Sequence, residues 1–146
     1  MAEKIELRIS KKADEIIKIQ TEVDDYRYRY DLDSDSVYKL NFVLESLIMQ
    51  FISTVEIPEN SEETPDEILI IKFTVFEEDI MINFIDEGEA FNPLDTPAKT
   101  IEEAVEKEDY NSLGVLLSQN YITEAEYSRK DGKNLLQIFV EVEEDF

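Results

Sequence analysis

The side chains best equipped for chemistry in this chain are carboxylates and amides set against apolar runs. Asp86-Glu87-Gly88 directly follows the apolar run Ile80–Ile85, so a carboxylate and a glycine stand at a strand end. Glu45, Ser46 and Gln50 sit inside a long apolar stretch. Leu113-Gly114 opens another. There is no histidine and no cysteine among the 146 residues. That removes Ser-His-Asp and Cys-His catalysis, disulfides, and thiolate or imidazole zinc sites. Carboxylates, hydroxyls, Lys, Arg, Tyr, backbone amides and a hard cation such as Mg²⁺ remain.

The charge narrows the partners. Asp and Glu number 36 against 14 Lys and Arg, a formal net charge of −22. A surface this acidic repels phosphate backbones and anionic lipid, so neither nucleic acid nor membrane is an expected partner. A basic protein or a cation is compatible with it. The 42% hydrophobic fraction exceeds what a disordered chain carries, despite 34% charged residues. The expectation is one domain spanning residues 1–146, soluble and cytoplasmic, without a signal peptide or membrane span. Two local patterns have ordinary structural readings. The alternation Tyr26-Arg27-Tyr28-Arg29-Tyr30 reads as the frayed end of a helix, an amphipathic edge rather than a base-stacking platform. The Asp31–Ser36 run lacks the glycine and terminal Glu of a calcium loop and reads as a loop with a helix cap.

The elements that must position these groups follow from periodicity. Ile5, Leu7 and Ile9 alternate with polar residues, which predicts a strand. Ser10 is placed to cap a helix carrying Ile16, Ile17, Ile19 and Val23. Val37, Leu40, Val43, Leu44, Leu47, Ile48, Phe51 and Ile52 predict a central helix over about 37–54. A polar loop over 56–66 leads to a hairpin of 68–76 and 80–85. A short helix near 101–105, a helix over 113–122 and a final hairpin of 124–128 with 135–142 complete the order β-α-α-β-β-α-α-β-β. Hairpin-linked strands with few helices predict an α+β, two-layer α/β sandwich: a mixed, mainly antiparallel sheet with helices on one face.

Three segments in this order resemble one family. Residues 82–94, INFIDEGEAFNPL, resemble the Asp-x-Gly-x-x-Phe-Asn-Pro box of the gyrase/histidine-kinase/chaperone-type ATPases, in the form found in bacterial anti-sigma factor serine kinases. Residues 111–117, NSLGVLL, resemble the second glycine box, and residues 126–136 are similar to the closing hairpin. The resemblance spans about residues 5–142. It implies the histidine kinase-like ATPase (Bergerat) fold, with nucleotide between helices and sheet. By the same resemblance Asp86 would accept from an adenine amino group. Gly88 would let the backbone approach the base, and Ala90, Phe91 and Leu113 would line the site. Gly114, at a helix start, would bring backbone N–H groups to the phosphates. Taken singly, the first box is also an ordinary turn and the second an ordinary helix start.

The resemblance is incomplete. The family's Glu-x-x-x-Asn pair supplies a general base and an Mg²⁺-binding amide. Here two registers are open. Glu45 is the base with Met49 in place of the Asn, or Ser46 replaces the Glu and Gln50 replaces the Asn. The second places the apolar residues better. Met49 cannot serve Mg²⁺, and Gln50, the one candidate metal ligand, is a methylene too long. Asn111 and Ser112 replace two glycines. The linker of residues 95–110 is acidic and opposes ATP, although its carboxylates also read as a solvated face. The expectation is weakened or absent binding of ATP or ADP with Mg²⁺. Function would then rest on binding a sigma factor or an anti-anti-sigma protein, with a homodimer as a further option the family suggests. The alternative is an active Mg-ATP-dependent serine/threonine kinase acting on the anti-anti-sigma protein.

Overall fold

A computed structural model describes residues 3–54 and 67–143. The expected loop over 56–66 and the last three residues lie outside that range. Five strands form one antiparallel sheet in the order β1-β2-β3-β5-β4: β1 (Glu3–Ser10), β2 (Ile68–Val75), β3 (Asp79–Asp86), β4 (Ile122–Lys130) and β5 (Lys133–Glu141). Among the described residues four α-helices accompany it: α1 (Ile16–Arg29), α2 (Ser34–Ser53), α3 (Ile101–Glu106) and α4 (Tyr110–Ser118). The element order and the α+β, two-layer character match the sequence reading. Every strand pairing is antiparallel, so the sheet is not mixed.

Alternation explains the sheet. Ile80, Ile82 and Phe84 on β3 pair with Val140, Ile138 and Leu136 on β5 and with Val75, Phe73 and Ile71 on β2. These side chains are buried under the helices together with Leu40, Leu44, Leu47, Ile48 and Phe51 of α2. Each contributes about 1.5–3 kcal/mol of transfer free energy. Helix α2 is the central core helix expected, three residues earlier in its start. Asp33 caps it, accepting from the Ser36 backbone N–H at 2.7 Å. The β4–β5 turn places Asp131 and Gly132 both at positive φ, the type I′ geometry that suits a tight hairpin.

Three local expectations are corrected. Ser10 caps no helix: it ends β1, and α1 begins behind a 3₁₀ turn at Ala13–Glu15 without a side-chain cap. Helix α1 does not fray at Tyr26, because Tyr26 is buried edge-on against Phe73, with centroids 5.5 Å apart. Helix α4 starts at Tyr110 and stops at Ser118, where a 3₁₀ turn over Gln119–Tyr121 hands the chain to β4. Among the described residues no helix is long and apolar enough to cross a membrane.

Candidate functional site

Asp86 ends β3 on the inward parity of the strand, so the fold carries its carboxylate beneath the helix layer. It is buried. A lone ionised carboxylate there would cost several kcal/mol. Two groups satisfy it. Lys11, immediately after β1, donates from Nζ to Oδ2 at 2.6 Å, and both side chains are 2% exposed. Asn134, the cross-strand partner of Asp86 on β5, donates from Nδ2 to Oδ1 at 2.8 Å. Lys11 also reaches Glu67 Oε2 at 3.3 Å.

The network extends through Asn134. Its Oδ1 accepts from the Tyr127 hydroxyl at 2.6 Å, Arg129 Nη1 at 2.9 Å and the Phe91 backbone N–H at 3.1 Å. Its Nδ2 also donates to the Glu89 carbonyl at 2.7 Å, and Arg129 Nη1 donates to the Gly88 carbonyl at 2.9 Å. The turn of residues 87–91 is therefore tied to the final hairpin by the chain's own donors and acceptors. A β-carbon on Gly88 would lie 3.0 Å from Asp86 Oδ2 and 3.5 Å from Lys11 Nζ. The space that glycine leaves is filled by the ion pair. Phe91 packs edge-on against Phe51 of α2, centroids 5.7 Å apart.

The remaining residues singled out from the sequence do not all meet Asp86. A cavity of about 380 Å³ is lined by Thr54, Glu67, Asp86, Gly88, Glu89, Ala90 and Phe91. A separate groove of about 220 Å³ between α2 and α4 is lined by Glu45, Ser46 and Gly114 with Phe42, Met49, Tyr110 and Asn111. Gln50 belongs to neither lining. It is buried on α2 and donates from Nε2 to the Pro93 carbonyl at 3.4 Å. Glu45 is exposed at the groove, and Leu113 is half-buried on α4.

Gly114 is not at a helix start, as the sequence suggested, but in the middle of α4. A β-carbon there would come within 3.0 Å of Ser46 Oγ, so this glycine sets the close crossing of α4 over α2. The N-terminus of α4 is capped by Asp109, which accepts from the Ser112 backbone N–H at 3.1 Å and from its hydroxyl at 2.6 Å. A carboxylate thus holds the helix end where an anion would otherwise be favoured. Both lysines of the acidic linker are engaged within it: Lys99 with Asp95 at 2.7 Å and Lys107 with Glu103 at 2.6 Å. That pairing holds the Glu103 carboxyl below the ordinary range and raises the Lys107 ammonium. Among the described residues no three acidic side chains converge as metal ligands.

Lys11 and Asn134 were not singled out from the sequence. Asn134 had a signal: it occupies the same strand parity as the buried Leu136, Ile138 and Val140, where a polar residue needs a partner. Lys11 had none, since its partner lies 75 residues away. A scan against known protein families finds no model that matches this chain, and a search of curated proteins finds no match.

Proposed function

We propose that this chain is a regulatory binding protein of anti-sigma-factor type, built on a histidine kinase-like ATPase sandwich whose base-recognising carboxylate is engaged by its own side chains. One observation carries the reading: the carboxylate that would recognise a base is already bonded to Lys11 and Asn134. An exocyclic amine there would share a carboxylate that an ammonium and an amide already hold, or displace the buried ammonium, a change worth about 3–5 kcal/mol. Three further features work against Mg-ATP. Gln50 directs its amide N–H₂ to Pro93, Asp109 caps α4, and the linker lysines are paired with neighbouring carboxylates. The protein then acts through contacts with another protein, a sigma factor or an anti-anti-sigma protein by resemblance, and phosphoryl transfer is not its activity.

The test is thermal unfolding with millimolar Mg-ATP and Mg-ADP, alongside titration of purified sigma and anti-anti-sigma proteins from the same source. A ligand at a hundred times its Kd would add about 2.7 kcal/mol to stability, an easily measured rise in Tm. The expected result is no nucleotide-dependent rise, and partner binding that ATP leaves unchanged. A rise that Asp86→Asn abolishes would overturn this reading, and transfer of labelled phosphate to the anti-anti-sigma protein would establish the kinase one.

A further inference from the structure

Helix α2 carries a second stripe beside the one that fills the core. Phe42, Glu45 and Met49, spaced three and four residues apart, share a face of the helix. Together with Tyr110 and Asn111 of α4 they line the groove of about 220 Å³ beside the crossing of Gly114 over Ser46. Its aromatic wall is held in place. Phe42 stacks on Tyr38, with centroids 6.1 Å apart and planes at 20°, and meets Tyr121 edge-on, also at 6.1 Å. Tyr110, on the α4 side, is 70% exposed. A single exposed ring is ordinary on a protein surface. Here the ring borders a concavity that holds polar groups without partners.

Those groups are the Glu45 carboxylate, the Ser46 hydroxyl and the Asn111 side-chain amide. None of the three makes a hydrogen bond or an ion pair with any described residue. The neighbouring carboxylates are different. Asp109 accepts from Ser112, and Glu103 is engaged by Lys107 and by the Lys99 backbone N–H. Glu45 is exposed at the groove and no cation of the described chain reaches it. A carboxylate, a hydroxyl and an amide oxygen beside aromatic rings suit a planar cation with several donors. A guanidinium has a fixed fork of N–H groups, enough to pair with a carboxylate and still donate to other oxygens, and its flat face stacks on rings. An ammonium is a more strongly hydrated point charge and gains less from such walls. A hard metal ion needs more oxygen ligands than one carboxylate supplies, and among the described residues no three acidic side chains converge. The size also decides: the groove is below the roughly 300–1,000 Å³ of a small-molecule pocket and fits one side chain.

We infer that this groove receives an arginine side chain of a partner protein, its guanidinium paired with Glu45 and lying against the Phe42 and Tyr110 rings. Arginine and tyrosine are among the residues on which interface energy concentrates. The net charge of −22 draws a cationic segment toward the chain, and the groove gives one of its charges a specific seat. The inference rests on the binding reading above only in taking the occupant to be a protein. It uses none of the groups around Asp86, so the nucleotide test and the test below fail separately.

Two-dimensional NMR of the isotope-labelled chain at physiological salt tests it. The probe is an end-blocked Gly-Gly-Arg-Gly-Gly peptide, compared with peptides carrying Lys or uncharged citrulline in place of Arg. The arginine peptide should shift the backbone amides of residues 42–46 and 110–114 as one saturable set. The lysine peptide should bind at least about threefold more weakly, and the citrulline peptide at least about tenfold more weakly. Glu45→Gln should weaken the arginine peptide at least about tenfold and Tyr110→Ala about threefold. The rest of the spectrum should stay in place, which shows that both variants are folded. Shifts that scatter over the acidic surface without saturating overturn the inference. So does saturable binding away from the groove, equal binding of the lysine peptide, or binding that Glu45→Gln leaves unchanged.

Discussion

Lys11 and Asp86 form the charge pair on which the site turns. Neither could be buried alone, and each is held by groups that the other does not supply: Glu67 for Lys11, Asn134 for Asp86. Removing one charge strands the other. Lys11→Met keeps the length of the side chain and deletes the ammonium. It should cost about 3–5 kcal/mol, read as a lower urea midpoint with unchanged slope. Asp86→Asn leaves the ammonium with Glu67 alone and should cost less than Lys11→Met. Combining the two should cost clearly less than their sum, because the second change removes a charge that the first left unpaired. Additive losses would mean that the pair does not stabilise the fold as a unit. Gly88 belongs to the same account, because its missing side chain makes room for Asp86 and Lys11.

Helices α2 and α4 show how one element can be specified locally and still be placed by its neighbour. The apolar stripe of α2 and the cap at Asp33 are local. Hydrogen bonds from the Ser36 hydroxyl and then the Ser36 backbone N–H hold the Asp33 carboxyl below its ordinary value. A carboxyl depressed in the folded state stabilises the fold above its unfolded pKa and loses that contribution as pH falls through the folded value. Wild type should therefore exceed Asp33→Ala in Tm at neutral pH, with the gap narrowing on acidification below the carboxylate range. A gap independent of pH would assign the cap's effect to something other than the ionised carboxylate. The crossing of α4 on α2, by contrast, depends on Gly114 against Ser46, two residues that no local pattern pairs. That contact turns Gly114 into a packing residue, where sequence alone suggested a phosphate-binding one.

At the scale of the whole molecule, the −22 charge is a destabilising load. Raising ionic strength from about 0.01 M to 0.15 M shortens the screening length from about 30 Å to about 8 Å. The urea midpoint of the dilute protein should rise across that interval. A midpoint that falls would mean that attractive surface pairs such as Lys99–Asp95 outweigh the net repulsion.

The order of elements, the antiparallel hairpins, the identity of the core helix and the exclusion of histidine and cysteine chemistry are legible along the chain. Those features follow from near-neighbour periodicity and composition. Strand parity also carried a readable clue at Asn134. The tertiary structure alone decided what the singled-out residues touch. Asp86 meets Lys11 from another strand end, Gln50 turns to Pro93, and Gly114 lies under Ser46. Such pairings join residues tens of positions apart, and register and helix placement set them, so a motif read along the chain names candidates without naming their partners.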